Sequence, residues 1–213
     1  MNIDPVGCDV KHAMENTHRI SNIVHEYFGE NAVINIPKSA NFSKAFLWVW
    51  ESANNGMGDY LFQLEEDWRL DIPIDFNRMM QIMEEDLSIA HLRLSYKLST
   101  DTCKNWKHFL DWNGKFFEVK ESERGMVGFC GHPSINRKNF TRDAVSNIDV
   151  RYNPEKQMKH NFEWFRKWMG CKFGCFHPQN SPPAIHDTGR KWMIEHGWAK
   201  SGNKAWFTEW EKV

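Results

Sequence analysis

The segment Gly58-Asp59-Tyr60-Leu61-Phe62-Gln63-Leu64-Glu65-Glu66-Asp67-Trp68 reads as a buried strand running into an acidic cluster. Successive side chains of a strand point to opposite faces. Glu65 and Asp67 are therefore expected on one face and Glu66 on the other. At the carboxyl end of a parallel strand, where ligands of open α/β sheets bind, two such acids can hold a hard divalent cation that also grips a diphosphate. Acidic triplets more often form solvated turns. The apolar run at 60–64 leading straight into the acids, and Trp68 directly after them, favour the strand.

Outward from this segment, strand and helix signals alternate. Ile20, Ile23, Val24, Tyr27 and Phe28 recur at helical spacing, which predicts an amphipathic helix over 11–28 closed by Gly29. A strand is expected at 32–36. A second helix follows, with Phe42, Phe46, Val49 and Trp50 on one face, ending near Asn54-Asn55-Gly56. Beyond the acidic strand, 76–83 reads as helix and 89–94 as strand. This alternation implies an α/β fold with a mostly parallel, doubly wound sheet flanked by helices. The later half is less regular. It shows a Trp-rich stretch at 104–114, a strand at 116–120, a Gly-punctuated loop at 125–133 and a helix over 153–169. A loop at 171–183, a short helix at 189–195 and an aromatic tail complete it. We read 1–213 as one domain, with 1–100 the nucleotide-binding half and 101–213 the acceptor half.

Lys and Arg (27) nearly balance Asp and Glu (28), so no global field selects nucleic acid, a membrane surface or a strongly charged substrate. The aromatic load, 11 Trp and 15 Phe, suits a dense core or sugar-facing platforms. Cys8, Cys103, Cys130, Cys171 and Cys175 are odd in number and irregularly spaced, which predicts free thiols and a reducing compartment. With no apolar run of about 18 residues to span a bilayer and no leader pattern at the start, a soluble cytoplasmic protein is expected. Asn41-Phe42-Ser43 and Asn139-Phe140-Thr141 match the glycosylation pattern by chance on this view.

The sequences GDYLFQLEEDW at 58–68 and GFCGHPSINRKNF at 128–140, preceded by a helix, resemble in type and order those of GT-A (Rossmann-like) glycosyltransferases, especially inverting family 2-like enzymes. The likeness runs from Asn2 to about Gly189, with LEEDW its most specific part. It implies a sugar moved from a nucleoside-diphosphate donor to a hydroxyl acceptor, with inversion and with Mn2+ or Mg2+ as cofactor. Carried over by position, it makes Asp67 the metal ligand and places Glu65, Asp4 and Lys44 at the nucleotide. It further implies that a His near the carboxyl end completes the metal site, matched by His186, with Asp187 as its partner or an alternative ligand. The 125–133 loop, with Gly128, Gly131 and His132, would face sugar and acceptor. The family's first strand and helix normally precede the segment that begins here at Asn2, so either the natural start lies further upstream, the sheet has lost an edge, or another element fills that place.

An inverting transfer needs one carboxylate to deprotonate the acceptor hydroxyl. The resemblance puts it at the start of a helix beyond the acceptor loop, which fits Glu155 in Tyr152-Asn153-Pro154-Glu155, with Asn153 as N-cap and Pro154 at the first helical position. Its competing role is to complement the helix dipole, and Asp143 and Asp149 are rivals for the base. Trp68 is a candidate platform for sugar or a packing residue behind the metal. Trp164, Phe165 and Trp168 fall at helical spacing and read as core. Asn136, Arg137, Lys138 and Arg142 read as a solvated helix start able to meet a phosphate. Cys171, Cys175 and His177 make half a zinc site with no matching second pair. The acceptor, whether glycan, lipid-linked precursor, protein or DNA, stays open. A shortened GT-A domain acting as a non-catalytic glycan-binding or partner module is the alternative. A metal-dependent phosphohydrolase or nucleotidyltransferase is a third.

Overall fold

A computed structural model describes residues 1–3, 10–38, 41–65, 67–95, 108–177, 182–201 and 209–212. Asp4, Glu66, Cys8, Cys103 and the Trp-rich residues 104–107 lie outside them.

Helix α1 spans Val10–Phe28, and Gly29 closes it at φ 75, a left-handed conformation that glycine adopts without steric cost. Val24 is buried, whereas Ile23, Tyr27 and Phe28 are exposed. Helix α2, Phe42–Asn54, starts where the Asn41 side chain accepts the Lys44 N–H at 2.9 Å. Phe46 and Trp50, one turn apart, are its buried face. Helix α3, Phe76–Glu85, is capped by Asp75 and buries Met79, Ile82 and Met83. Among the described residues no helix is long and apolar enough to cross a membrane.

The strands are β1 Tyr60–Gln63, β2 Trp68–Leu70, β3 Ile89–Leu94, β4 Leu110–Trp112, β5 Phe117–Val119, β6 Ser134–Arg137, β7 Lys172–Phe176, β8 Ile185–Asp187, β9 Trp198–Ser201 and β10 Glu209–Lys212. Six of them form one sheet in the order β1-β6-β3-β7-β5-β4. Strands from both halves of the chain interleave in it. The fold is α/β, but the sheet is mixed: β3 and β7 run parallel, while the other neighbours run antiparallel. The expectation of a mostly parallel sheet fails for two local reasons. β6 inserts between β1 and β3 antiparallel to both, and β4 and β5 are joined by a tight hairpin, which admits only antiparallel pairing. In that hairpin Gly114 has φ 95, and Asn113 Oδ1 accepts the Lys115 and Phe116 N–H groups at 3.1 and 3.0 Å.

The expected strand at 32–36 contracts to one parallel bridge, Asn35 with Asn2. The loop expected after Cys171 contains β7. The loop expected at 125–133 opens with a helical turn, α4 Arg124–Val127. After α5, Lys138–Asn147, the single helix expected over 153–169 is two turns, α6 Pro154–Gln157 and α7 Glu163–Arg166, followed by a 3-10 turn Lys167–Gly170. Met158 leaves helical geometry at φ −92, ψ 54, and the His160 N–H bonds Gly125 O at 2.8 Å instead of continuing the helix. Helix α8, Gly189–Glu195, is as predicted.

Apolar clusters cover both faces of the sheet. α3 packs Met79, Ile82 and Met83 with Leu92, Leu94, Ile135 and Phe176. On the other face α2 and α5 join Trp50, Phe129, Phe140, Phe165 and Phe173, with Trp164 and Trp168 against them, so those aromatics are core. The clustering of these rings, such as Phe140 and Trp168 edge to face at 5.0 Å, accounts for much of the aromatic content.

Candidate functional site

β1 delivers Gln63 and the acids to one end of the sheet. The strand ends at Gln63, and the Trp68 N–H returns to Glu65 O at 3.3 Å. Glu65 and Asp67 therefore sit in a turn, and strand alternation does not relate them, contrary to expectation. Gln63 is buried and organises this corner. Its amide accepts the Trp50 indole N–H at 3.2 Å and donates to Gly131 O at 3.2 Å and Glu65 Oε1 at 3.5 Å.

Gly131 is the meeting point. Its N–H donates to Glu155 Oε1, and a Cβ built on it would run into that oxygen, lying 3.2 Å from Glu155 Cδ and 3.6 Å from Glu65 Oε1. Two carboxylates far apart in the chain thus flank one backbone position, and a side chain there would displace Glu155. Glu155 is in place because Asn153 caps α6 by accepting the Lys156 N–H at 3.3 Å, with Pro154 at the first helical position. Ser43 Oγ donates to Tyr152 O at 2.7 Å and ties the start of α2 to the same corner. Lys44, in that first turn, is exposed.

The rivals of Glu155 are committed elsewhere. Asp143 accepts from Trp168 Nε1 and Lys167 Nζ, both at 2.7 Å. Hydrogen bonds from the Arg151 side chain and backbone hold the Asp149 carboxyl at about 2.

Asp67 is placed by the second ribbon. β2 pairs antiparallel with β8, matching Trp68 to Asp187, Arg69 to His186 and Leu70 to Ile185. Thr188 donates both its N–H and its Oγ1 hydroxyl to Asp67 O, each at 2.8 Å. Gly189 packs against the carboxylate, so that a Cβ there would stand 2.6 Å from Asp67 Oδ2, and Asp67 Oδ1 is sealed from solvent. Paired residues project to one face of a ribbon. Asp187 is thus on the Trp68 face, and His186 is on the opposite face with Arg69, exposed. Trp68 is half-buried, its ring 4.8 Å from that of His132. Gly128 is buried away from this corner, where a Cβ would meet the Arg124 carbonyl and come within 3.2 Å of the Phe173 ring. Among the described residues no group of three or more His, Cys, Asp or Glu side chains is gathered as a metal cage.

Cationic groups behind the acids were not singled out from the sequence. Arg93 on β3, 2% exposed, donates to Val127 O at 3.3 Å and to Cys130 Sγ at 3.2 Å. Lys159 is pushed down by burial, with Glu155 pulling it back up. The signal for this cluster is His91 and Arg93 at alternate positions of an otherwise apolar strand, since buried charge at such positions demands partners. Asn136 and Arg137 are also internal. Asn136 bonds His91 Nδ1 at 2.7 Å, and Arg137 Nε donates to Ile89 O at 2.9 Å. They lie in β6 and are not a solvated helix start.

Comparison with models of known protein families, with curated proteins and with solved structures gave no match.

Proposed function

We propose that this chain is a metal-assisted glycosyltransferase of GT-A type, moving a sugar from a nucleoside diphosphate to a hydroxyl acceptor with inversion. The observation that carries the proposal is the meeting of Glu65 and Glu155 at Gly131, beside the turn that holds Asp67. Glu65 and Glu155, expected at nucleotide and acceptor, meet from distant parts of the chain, and Asp67 follows Glu65 by two residues; such a gathering is what catalysis needs and supports the reading.

Glu155 is the base. The Gly131 N–H fixes Oε1, and the second oxygen takes the acceptor proton as the hydroxyl attacks the anomeric carbon. Glu65, aligned by the Gln63 amide, faces the nucleotide. The donor chemistry fits Mn2+ or Mg2+, which bind through one or two carboxylates plus substrate phosphates and do not require an all-protein cage. Asp67 would hold the ion, with Asp187, on the Trp68 face of the ribbon, as the second carboxylate in place of His186. When bound, the ion supplies charge neutralisation to the departing nucleoside diphosphate. Trp68 and His132 form the wall on the sugar side.

Incubation with UDP-, GDP- and dTDP-sugars, with and without Mn2+, tests the proposal. A glycoside product that disappears in Asp67→Ala supports it. Free sugar phosphate or a nucleotidyl product would identify a phosphohydrolase or nucleotidyltransferase instead. The outward placement of His186 favours a second reading, a non-catalytic glycan-binding or partner module. Glycan binding without nucleotide binding in calorimetry would establish that one.

A further inference from the structure

Positions 91 and 93 of β3 point to the same face of the sheet, toward the segment that carries Phe129, Cys130 and Gly131. Both are basic and both are buried, His91 at 0% and Arg93 at 2% exposure. A buried guanidinium is costly unless it meets negative charge or strong acceptors. One of its hydrogen bonds, at 3.2 Å, goes to Cys130 Sγ. The His91 ring lies 4.9 Å from that of Phe129, and its Nδ1 is 2.7 Å from Asn136 Oδ1. Because that oxygen only accepts, Nδ1 carries the proton, and Nε2 is the atom that can take the Cys130 thiol proton and donate it back to the thiolate. This Nε2 is buried and has no hydrogen-bond partner among the described residues. Cys130 is half-buried as a residue and carries a free thiol.

We propose that Cys130 is a reactive thiolate, held by Arg93 with His91 and His132 around it, and a site of covalent modification by low-molecular-weight disulfides. The thiolate attacks one sulfur of the disulfide. A new S–S bond forms, the old one breaks, and the electron pair leaves on the departing thiolate, which takes a proton from water. The adduct lies one residue from Gly131, the position flanked by Glu65 and Glu155.

The cations around the sulfur favour the thiolate. Burial pushes the Cys130 thiol up, but the Arg93 charge, His132 and His91 outweigh it and hold the thiol well below its ordinary range. The Lys159 ammonium is a further neighbouring cation, with Glu155 beyond it. Cys171 serves as an internal reference, because burial pushes its thiol up.

The test is the alkylation rate of each cysteine by iodoacetamide, followed by peptide mass spectrometry on the folded chain. An ordinary thiol, with a pKa of about 8.5, reacts on the order of seventyfold faster at pH 8 than at pH 6. Cys130 is expected to vary far less than seventyfold over that span, and to take a glutathionyl adduct from oxidised glutathione ahead of Cys171. Arg93→Met should restore the steep pH dependence. Because that change touches a buried residue, His132→Gln, at a half-buried position, is the second variant and should slow labelling near pH 6 by at least about threefold. A Cys130 rate that climbs with pH as Cys171 does, or one unaltered by His132→Gln in a folded protein, overturns the proposal.

Discussion

Gly189→Ala is the most direct probe of Asp67. The added methyl would stand 2.6 Å from both Asp67 Cβ and Oδ2, and 3.1 Å from Cγ. Ordinary carbon contacts lie at about 3.5 Å or more, so the carboxylate must retreat by about 1 Å. The backbone cannot yield freely, since Thr188 holds Asp67 O through two hydrogen bonds of 2.8 Å. Overpacking of this kind costs about 1–3 kcal/mol, a fall of roughly 2–10 °C in melting temperature for a chain of this size. A 1 Å misplacement of a ligand or reacting group is worth about 100-fold. Calorimetry of UDP binding, with and without Mn2+, should therefore show the Mn2+-dependent part of the affinity reduced by about ten- to a hundredfold, with binding in the absence of metal unchanged. A melting temperature that falls as calculated, together with an intact Mn2+ effect, would refute the assignment of Asp67 as ligand.

Glu155→Gln keeps the shape and the Gly131 hydrogen bond but removes the base, so transfer should drop by about 10²- to 10⁴-fold with little change in nucleotide affinity; undiminished turnover would move the base elsewhere. Gly131→Ala should produce a comparable loss of turnover by displacing the same carboxylate, together with a lower unfolding midpoint in urea, and a variant with normal activity would show that the corner is not the site. Gly174→Ala sets a Cβ against the Phe116 ring and 2.9 Å from Phe117 O, and should destabilise the fold by about 1–3 kcal/mol in urea unfolding; a loss under about 0.5 kcal/mol would contradict the packing between β5 and β7. Burial pushes the Asp86 carboxyl up, but hydrogen bonds from Lys172 and Ser88 outweigh it and hold it at about 2, so its contribution is full above about pH 4 and disappears as pH falls toward 2. Asp86→Asn should then cost about 1 kcal/mol at pH 7 after solvent screening, and almost nothing at about pH 2; an equal cost at both would refute the linkage.

What could be read in the sequence follows from where periodicity is visible. α1, α2 and α3 announce themselves by apolar spacing and by the caps at Gly29, Asn41 and Asp75. β1 and β3 do so by short apolar runs. β7 escaped because Gly174 reads as a loop residue, although it is small only because the Phe116 ring lies over it. β6 escaped because Ser134, Asn136 and Arg137 look solvated, yet their polar atoms are satisfied inside by His91 and by backbone carbonyls. Glu155, Glu65 and Asp67 are candidates by type and position. Their meeting at Gly131, the turn at Glu65–Trp68 and the face carried by Asp187 depend on long-range packing, which local pattern does not encode. Gln63 was missed for the same reason, since its role is visible only through the groups it bonds, whereas Arg93 was signalled by its place with His91 in an otherwise apolar strand.

The β2–β8 ribbon also sets an order of events during synthesis. The six strands of the large sheet, β1 and β3 to β7, can leave the ribosome and pair while the segment that pins Asp67 is still inside the exit tunnel. Joining segments so distant along the chain carries a loop-closure cost that only a preformed sheet reduces. The acidic turn is consequently the last part to be armed. A nascent chain halted after β7 would be a folded scaffold whose acids are present but slack.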